Sequence, residues 1–129
     1  MDYLPQHELI LYGWKGTHDF KRGKDKSVVF EPKPSRSTLH PTMKPVGLLR
    51  RLILNSTAVG DTVYDPFGGS GSTLIACEQV KRRCRMIELD QKYVDVIIKR
   101  WQNLTNKKAT HLQSGEAFDD ILKKQVNAQ

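Results

Sequence analysis

The residues whose types and spacing point most directly to chemistry are the run Asp65-Pro66-Phe67-Gly68-Gly69-Ser70-Gly71-Ser72-Thr73 and, twenty-three residues after Asp65, Glu88. Gly68, Gly69 and Gly71 let a backbone come close to a ligand and take up positive-φ geometry that a side chain disfavours. An apolar segment from Thr73 reads as a helix, and the unpaired N–H groups of its first turn face the same space. Glu88 follows a short segment of strand-forming residues, where nucleotide-binding βαβ units place an acid for the ribose hydroxyls. Each hydrogen bond of that kind contributes on the order of 1.5–3 kcal/mol. The competing explanation is that Glu88 caps the next helix or sits in solvent, and the glycine turn upstream weighs against it.

Two common nucleotide sites can be tested directly. A P-loop requires G-x-x-x-x-G-K-[ST], and the turn holds no lysine. A dinucleotide fingerprint requires G-x-G-x-x-G, and after Gly69-Ser70-Gly71 the third glycine position is Leu74. An adenosine-containing ligand without a pyrophosphate remains. Asp65 beside the turn suits a cationic one, and S-adenosylmethionine (SAM) carries both an ammonium and a sulfonium.

The elements that must position these residues follow from periodicity. From Pro45, the apolar residues Val46, Leu48, Leu49, Leu52, Ile53 and Leu54 predict a helix that ends near Asn55 to Ser56. Asp61 to Asp65 predicts a strand, Thr73 to Val80 a helix and Arg83 to Glu88 a strand: together a compact βαβ unit with parallel strands. Gln91 to Leu104 predicts an amphipathic helix with Tyr93, Val94, Ile97, Ile98 and Trp101 on one face. Ala109 to Gln113 is a candidate third strand, Glu116 to Lys124 a last helix, and residues 125–129 a frayed tail. Upstream, Glu8 to Trp14 and Ser27 to Glu31 read as short strands, the second stopped by Pro32 and Pro34.

With 129 residues the chain is at most one domain. A net charge of +7 and a sequence pI near 9.5 favour a polyanionic partner. No stretch reaches the roughly 18 apolar residues of a membrane-spanning helix, and Met1 to Pro5 lacks signal-peptide character, so no membrane role and a cytoplasmic location are expected. Cys77 and Cys84 have neither zinc-finger nor CxxC spacing and read as reduced thiols. His7, His18, His40 and His111 show no metal-ligand spacing, and no metal is expected.

The Asp65 turn, preceded by His40-Pro41-Thr42-Met43-Lys44-Pro45 and followed by Glu88, resembles the prokaryotic and phage DNA methyltransferases that modify the exocyclic amino group of adenine or cytosine. The similarity extends to His7 through Lys15 and to Pro34-Ser35-Arg36-Ser37, and covers roughly residues 5 to 113. It is similar to the circular order in which the SAM-binding half is C-terminal. The resemblance implies an α/β, partial Rossmann-like SAM-methyltransferase fold, a mostly parallel sheet with flanking helices, over residues 1–129. It implies that Asp65 faces the methionyl ammonium, that Pro66, Phe67, Gly68, Gly69 and Gly71 line the methionine and adenosine, and that Glu88 holds the ribose. Thr42, Ser70 and Thr73 would add contacts, and His40, Pro41 and Lys44 would close the other side of the pocket.

One departure matters. The family transfers the methyl group with an Asp/Asn/Ser-Pro-Pro-aromatic tetrapeptide, whose polar groups hold the target amine while its ring stacks on the flipped base. No such tetrapeptide occurs among these residues, so no catalytic residue is assigned and the chain reads as the cofactor half of an enzyme. The missing strand would leave an apolar edge, which predicts a homodimer or a complementary chain carrying the catalytic half. The alternative is a fragment that binds SAM or DNA without turnover; an RNA or protein methyltransferase is weaker still. Residues 15–39 fall where the family reads double-stranded DNA, and Lys15, Lys21, Arg22, Lys24, Lys26 and Arg36 are the candidate contacts. Lys81-Arg82-Arg83 follows a helix C-terminus, where cations are favoured by the helix dipole, and is not assigned to DNA.

Overall fold

A computed structural model describes residues 7–32 and 43–128. Helix α1 spans Val46–Ser56 and begins behind Pro45, whose fixed φ of −61° and missing N–H suit a helix start. It stops at Thr57, which turns extended and donates its Oγ1 hydrogen to the Ile53 carbonyl at 2.6 Å, satisfying one of the acceptors a helix end leaves unpaired.

Strand β1 (Thr62–Asp65), helix α2 (Ser72–Gln79) and strand β2 (Arg83–Met86) form the expected βαβ unit. The two strands pair in parallel, Val63 opposite Cys84 and Asp65 opposite Met86. Helices α1 and α2 cover one side. Ile53, Ala76 and Cys77 are buried there, with Val46, Leu49, Val63, Val80 and Cys84 packed around them. Arg82 ties the two connections together, donating to the Val80 carbonyl at 2.6 Å and to the carbonyl and hydroxyl of Thr57 at 2.7 and 3.0 Å.

Helix α3 (Gln91–Thr105) is capped by the Asp90 carboxylate, which accepts from the Lys92 amide at 2.9 Å. It buries Ile97, while Tyr93, Val94, Ile98 and Trp101 are half-buried. It ends at Asn106 in the left-handed region, where the amide bonds back to Gln102. Helix α4 (Phe118–Asn127) buries only Phe118.

Five expectations are corrected. Glu8 to Trp14 and Ser27 to Glu31 form no strand. A strand obtains its hydrogen bonds from a neighbour, and the sheet of the described residues consists of β1 and β2 alone. The Ala109 to Gln113 strand reduces to one antiparallel bridge between Thr110 and Ala117. That bridge keeps Ala117 extended, so the last helix starts at Phe118 rather than Glu116, and it continues to Asn127 instead of fraying at 125. Among the described residues no helix is long and apolar enough to cross a membrane.

Candidate functional site

Strand β1 delivers Asp65 to the carboxyl end of the sheet, where ligands of open α/β folds sit. The Asp65 carbonyl accepts the Ile87 amide at 3.0 Å, and the Gly68 amide reaches back to the Ile87 carbonyl at 2.8 Å, so the turn is sewn to the end of β2. Asp65 Oδ1 accepts the Phe67 amide at 2.9 Å, which fixes the first step of the turn.

At two glycines a side chain would crowd its neighbours. A Cβ on Gly68 would lie 2.8 Å from the Met86 side chain and 3.2 Å from the Ile87 carbonyl oxygen. Gly71, at φ +83°, precedes the first residue of α2, and a Cβ there would meet Ile97 of α3 at 3.0 Å. Both β2 and α3 therefore press the turn into shape.

Glu88 does not cap α3; Asp90 does. Its Oε2 accepts the Gly69 amide at 2.6 Å and its Oε1 accepts the Asp90 amide at 2.9 Å. The structure thus brings Asp65, the glycine turn and Glu88 together.

Ser70 lies beneath the turn, 4% exposed, with its Oγ 3.4 Å from that of Ser72. Above it, Arg100 of α3 donates from one nitrogen to the Ser70 carbonyl at 2.6 Å and to the Ser70 and Ser72 hydroxyls at 3.1 and 3.4 Å. Burial pushes the Arg100 pKa down. Sequence reasoning missed Arg100. The signal was its place three residues after Ile97, on the same helical face as the buried side chain that meets Gly71.

The other expected cofactor residues are dispersed. Pro66 is exposed, Phe67 is 86% exposed, and Thr73 is half-buried in the first turn of α2. Lys44 is exposed and pairs with Glu8. His40, Pro41 and Thr42 lie outside the described residues. The turn is an open shelf, and a concavity of about 440 Å³ lies elsewhere, between the segment carrying Arg22 to Glu31 and α1. The shelf, and not that concavity, carries the two carboxylates Asp65 and Glu88 at the carboxyl end of the sheet, where a ligand of this fold sits.

The basic segment is tied to α1 by an acid. Asp25 accepts from Arg51 Nε at 2.8 Å and also pairs with Arg51 Nη2; it accepts from Asn55 Nδ2 and the Lys26 amide, each at 2.8 Å. The Arg51 guanidinium, followed by the other two donors, holds the Asp25 carboxyl well below the usual carboxylate range. The Lys21 amide donates to the Asn55 carbonyl at 2.7 Å, and its side chain pairs with Asp19. Arg22 and Lys24 line the 440 Å³ concavity; Lys15 and Lys26 are exposed; Arg36 lies outside the described residues. Nearby, the Trp14 and His18 rings stack at 5.0 Å, with Tyr12 and Phe20 edge-on to His18.

Comparison with known proteins places this geometry. Residues 5–100 match the DNA methylase family of N6 and N4 methyltransferases. The chain belongs to this family. It is 35% identical over 104 residues to the type II methyltransferase M.Cfr9I of Citrobacter freundii, covering 77% of this chain and 34% of that protein. It is 42% identical over 66 residues to M2.MboI of Moraxella bovis, covering 51% and 24%, and 44% identical over 69 residues to M2.DpnII of Streptococcus pneumoniae, covering 52% and 26%. The chain therefore spans about a quarter to a third of the length of these curated relatives. The crystal structure of the M1.HpyAVI–SAM complex matches at a TM-score of 0.55 and 32% identity, over 64% of this chain and 43% of that one. The fold is the α/β fold of SAM-dependent methyltransferases.

Proposed function

We propose that this chain binds SAM at the Asp65 turn and serves as the cofactor half of a DNA amino-methyltransferase acting on adenine N6 in preference to the alternative, cytosine N4. The observation that carries the reading is the glycine turn held between Asp65 and Glu88 at the carboxyl end of a parallel βαβ unit. SAM supplies an electrophilic methyl group when bound. Asp65 places a carboxylate for the methionyl ammonium, and Glu88 accepts from the ribose hydroxyls while holding Gly69. Backbone N–H groups of the first turn of α2 face the ligand between them. Amino groups conjugated to a base ring are poor nucleophiles, so the rate rests on positioning and on acceptors that build charge on the amine.

Those acceptors belong to the Asp/Asn/Ser-Pro-Pro-aromatic tetrapeptide, which another segment or chain supplies in this reading. Support comes from the sheet. Tyr64, Phe67, Ile87 and Leu89 are 61%, 86%, 55% and 97% exposed around its carboxyl end. Parallel sheets are normally covered on both faces, so a homodimer or a complementary catalytic chain is the expected cover. Double-stranded DNA is the proposed substrate and the cytoplasm of a bacterial or phage-infected cell the proposed setting. The absence of the tetrapeptide from these residues also favours a second reading, a binder of SAM or DNA without turnover.

Incubation with methyl-labelled SAM and mixed-sequence DNA tests the first reading. Label enters DNA only when a chain carrying the tetrapeptide is present. Label transferred by this chain alone would contradict the assignment, and none in either case would leave the binder.

A further inference from the structure

The 440 Å³ cleft lies between the Arg22 to Glu31 segment and α1 and belongs to neither the SAM shelf nor the core. Four cations line it: Arg22 and Lys24 from the segment, Arg50 and Arg51 from the helix. Arg51 is consumed by its two-pronged contact with Asp25. Arg50 is oriented by one bond, Nη1 to Gln79 Oε1 at 3.1 Å, and a guanidinium has five N–H donors. Arg22 and Lys24 make no ion pair among the described residues.

Two carboxylates share the cleft, and neither faces it unopposed. Asp25 is neutralised by Arg51. Glu31 leans on the first turn of α1, where a Cβ on Gly47 would lie 3.0 Å from its Oε2, and a helix start favours negative charge. Three cations from two elements converge on a cavity larger than a phosphate group.

We propose that this cleft seats a backbone phosphate of the DNA, with Arg22, Lys24 and Arg50 as its ligands and Asp25 as the positioning residue that holds the segment against α1. The assignment rests on the DNA reading above and deepens it, adding α1 to a contact surface that the family resemblance placed only on the basic segment. Without the Asp25 staple, Arg22 and Lys24 sit on an irregular segment, and their entropy of ordering is paid at binding.

Asp25→Asn separates this from charge alone. The substitution removes a negative charge from a DNA-binding surface, so long-range electrostatics predicts tighter binding; loss of the staple predicts weaker binding. The measurement is fluorescence anisotropy of a labelled duplex with the parent, Asp25→Asn and the triple variant Arg22→Ala/Lys24→Ala/Arg50→Ala. Salt is varied between about 50 and 200 mM, and SAM affinity is followed by calorimetry on the same samples. The triple variant binds at least about tenfold more weakly at low salt, with a salt slope shallower by about 1 or more. Asp25→Asn also binds more weakly, and SAM affinity is unmoved in both. An unchanged slope in the triple variant, or tighter binding by Asp25→Asn, overturns the cleft while leaving the DNA reading intact. No duplex binding by a parent that binds SAM overturns both.

Discussion

Gly71 carries two constraints at once, a backbone at φ +83° and an Ile97 side chain 3.0 Å from where a Cβ would stand. Gly60, at φ +86° with nothing within 4 Å, carries only the first. A left-handed residue other than glycine costs about 1–3 kcal/mol. Gly60→Ala is expected at the low end of that range and Gly71→Ala above it, because α3 must also give way. Denaturant midpoints check this; equal losses would show that Ile97 does not press on the turn. The turn, Asp65 and Glu88 were legible in the sequence because they are a contiguous run and a fixed offset. Arg100 was not. Its contact with the Ser70 carbonyl joins residues thirty apart, and an arginine on an amphipathic helix looks like a solvated one until the helix is docked.

At the scale of elements, α1, β1, α2, β2 and α3 were legible to within a residue or two, because helical periodicity, Pro45 and the glycine turn are local signals. The strands expected at Glu8 to Trp14 and Ser27 to Glu31 were not found, because strand formation depends on a partner that residue type does not specify. The α2–β2 contact makes its own prediction. Cys77 of α2 and Cys84 of β2 face each other in the core, and burial pushes the Cys84 thiol from 9.0 up to about 12 and raises that of Cys77. The folded state keeps the proton that the unfolded chain loses above about pH 9, so the unfolded state binds fewer protons in that window. Stability is therefore fully present below about pH 9 and falls as pH rises toward 12. Denaturant midpoints at about pH 8 and about pH 10.5 should show that decline in the parent and a shallower one in Cys84→Val; identical slopes would contradict it.

At the scale of the whole molecule, the α/β fold and the family were legible because His40 to Pro45, the Asp65 turn and Glu88 are linked motifs within a wider resemblance, and residues 5–100 match the DNA methylase family. The cover proposed for the exposed end of the sheet was only partly legible. Exposed Tyr64, Phe67, Ile87 and Leu89 mark a surface that calls for cover, and the identity of the cover depends on residues other than these. The proposed cofactor site, by contrast, is carried by this chain alone, so its test needs no partner. Titration calorimetry with SAM on the parent, Asp65→Asn and Glu88→Gln tests it most directly. Asparagine keeps an acceptor for the Phe67 amide, and glutamine keeps one for the Gly69 amide while giving up that for the Asp90 amide, so each variant removes charge and leaves the bonds within the turn in place. A hydrogen bond to a charged group contributes about 1.5–3 kcal/mol, and a tenfold change in affinity is about 1.4 kcal/mol. SAM is expected to bind the parent, and each variant is expected to bind it at least about tenfold more weakly; a parent that does not bind SAM, or variants that bind it as tightly as the parent, would contradict the assignment of the Asp65 turn and Glu88.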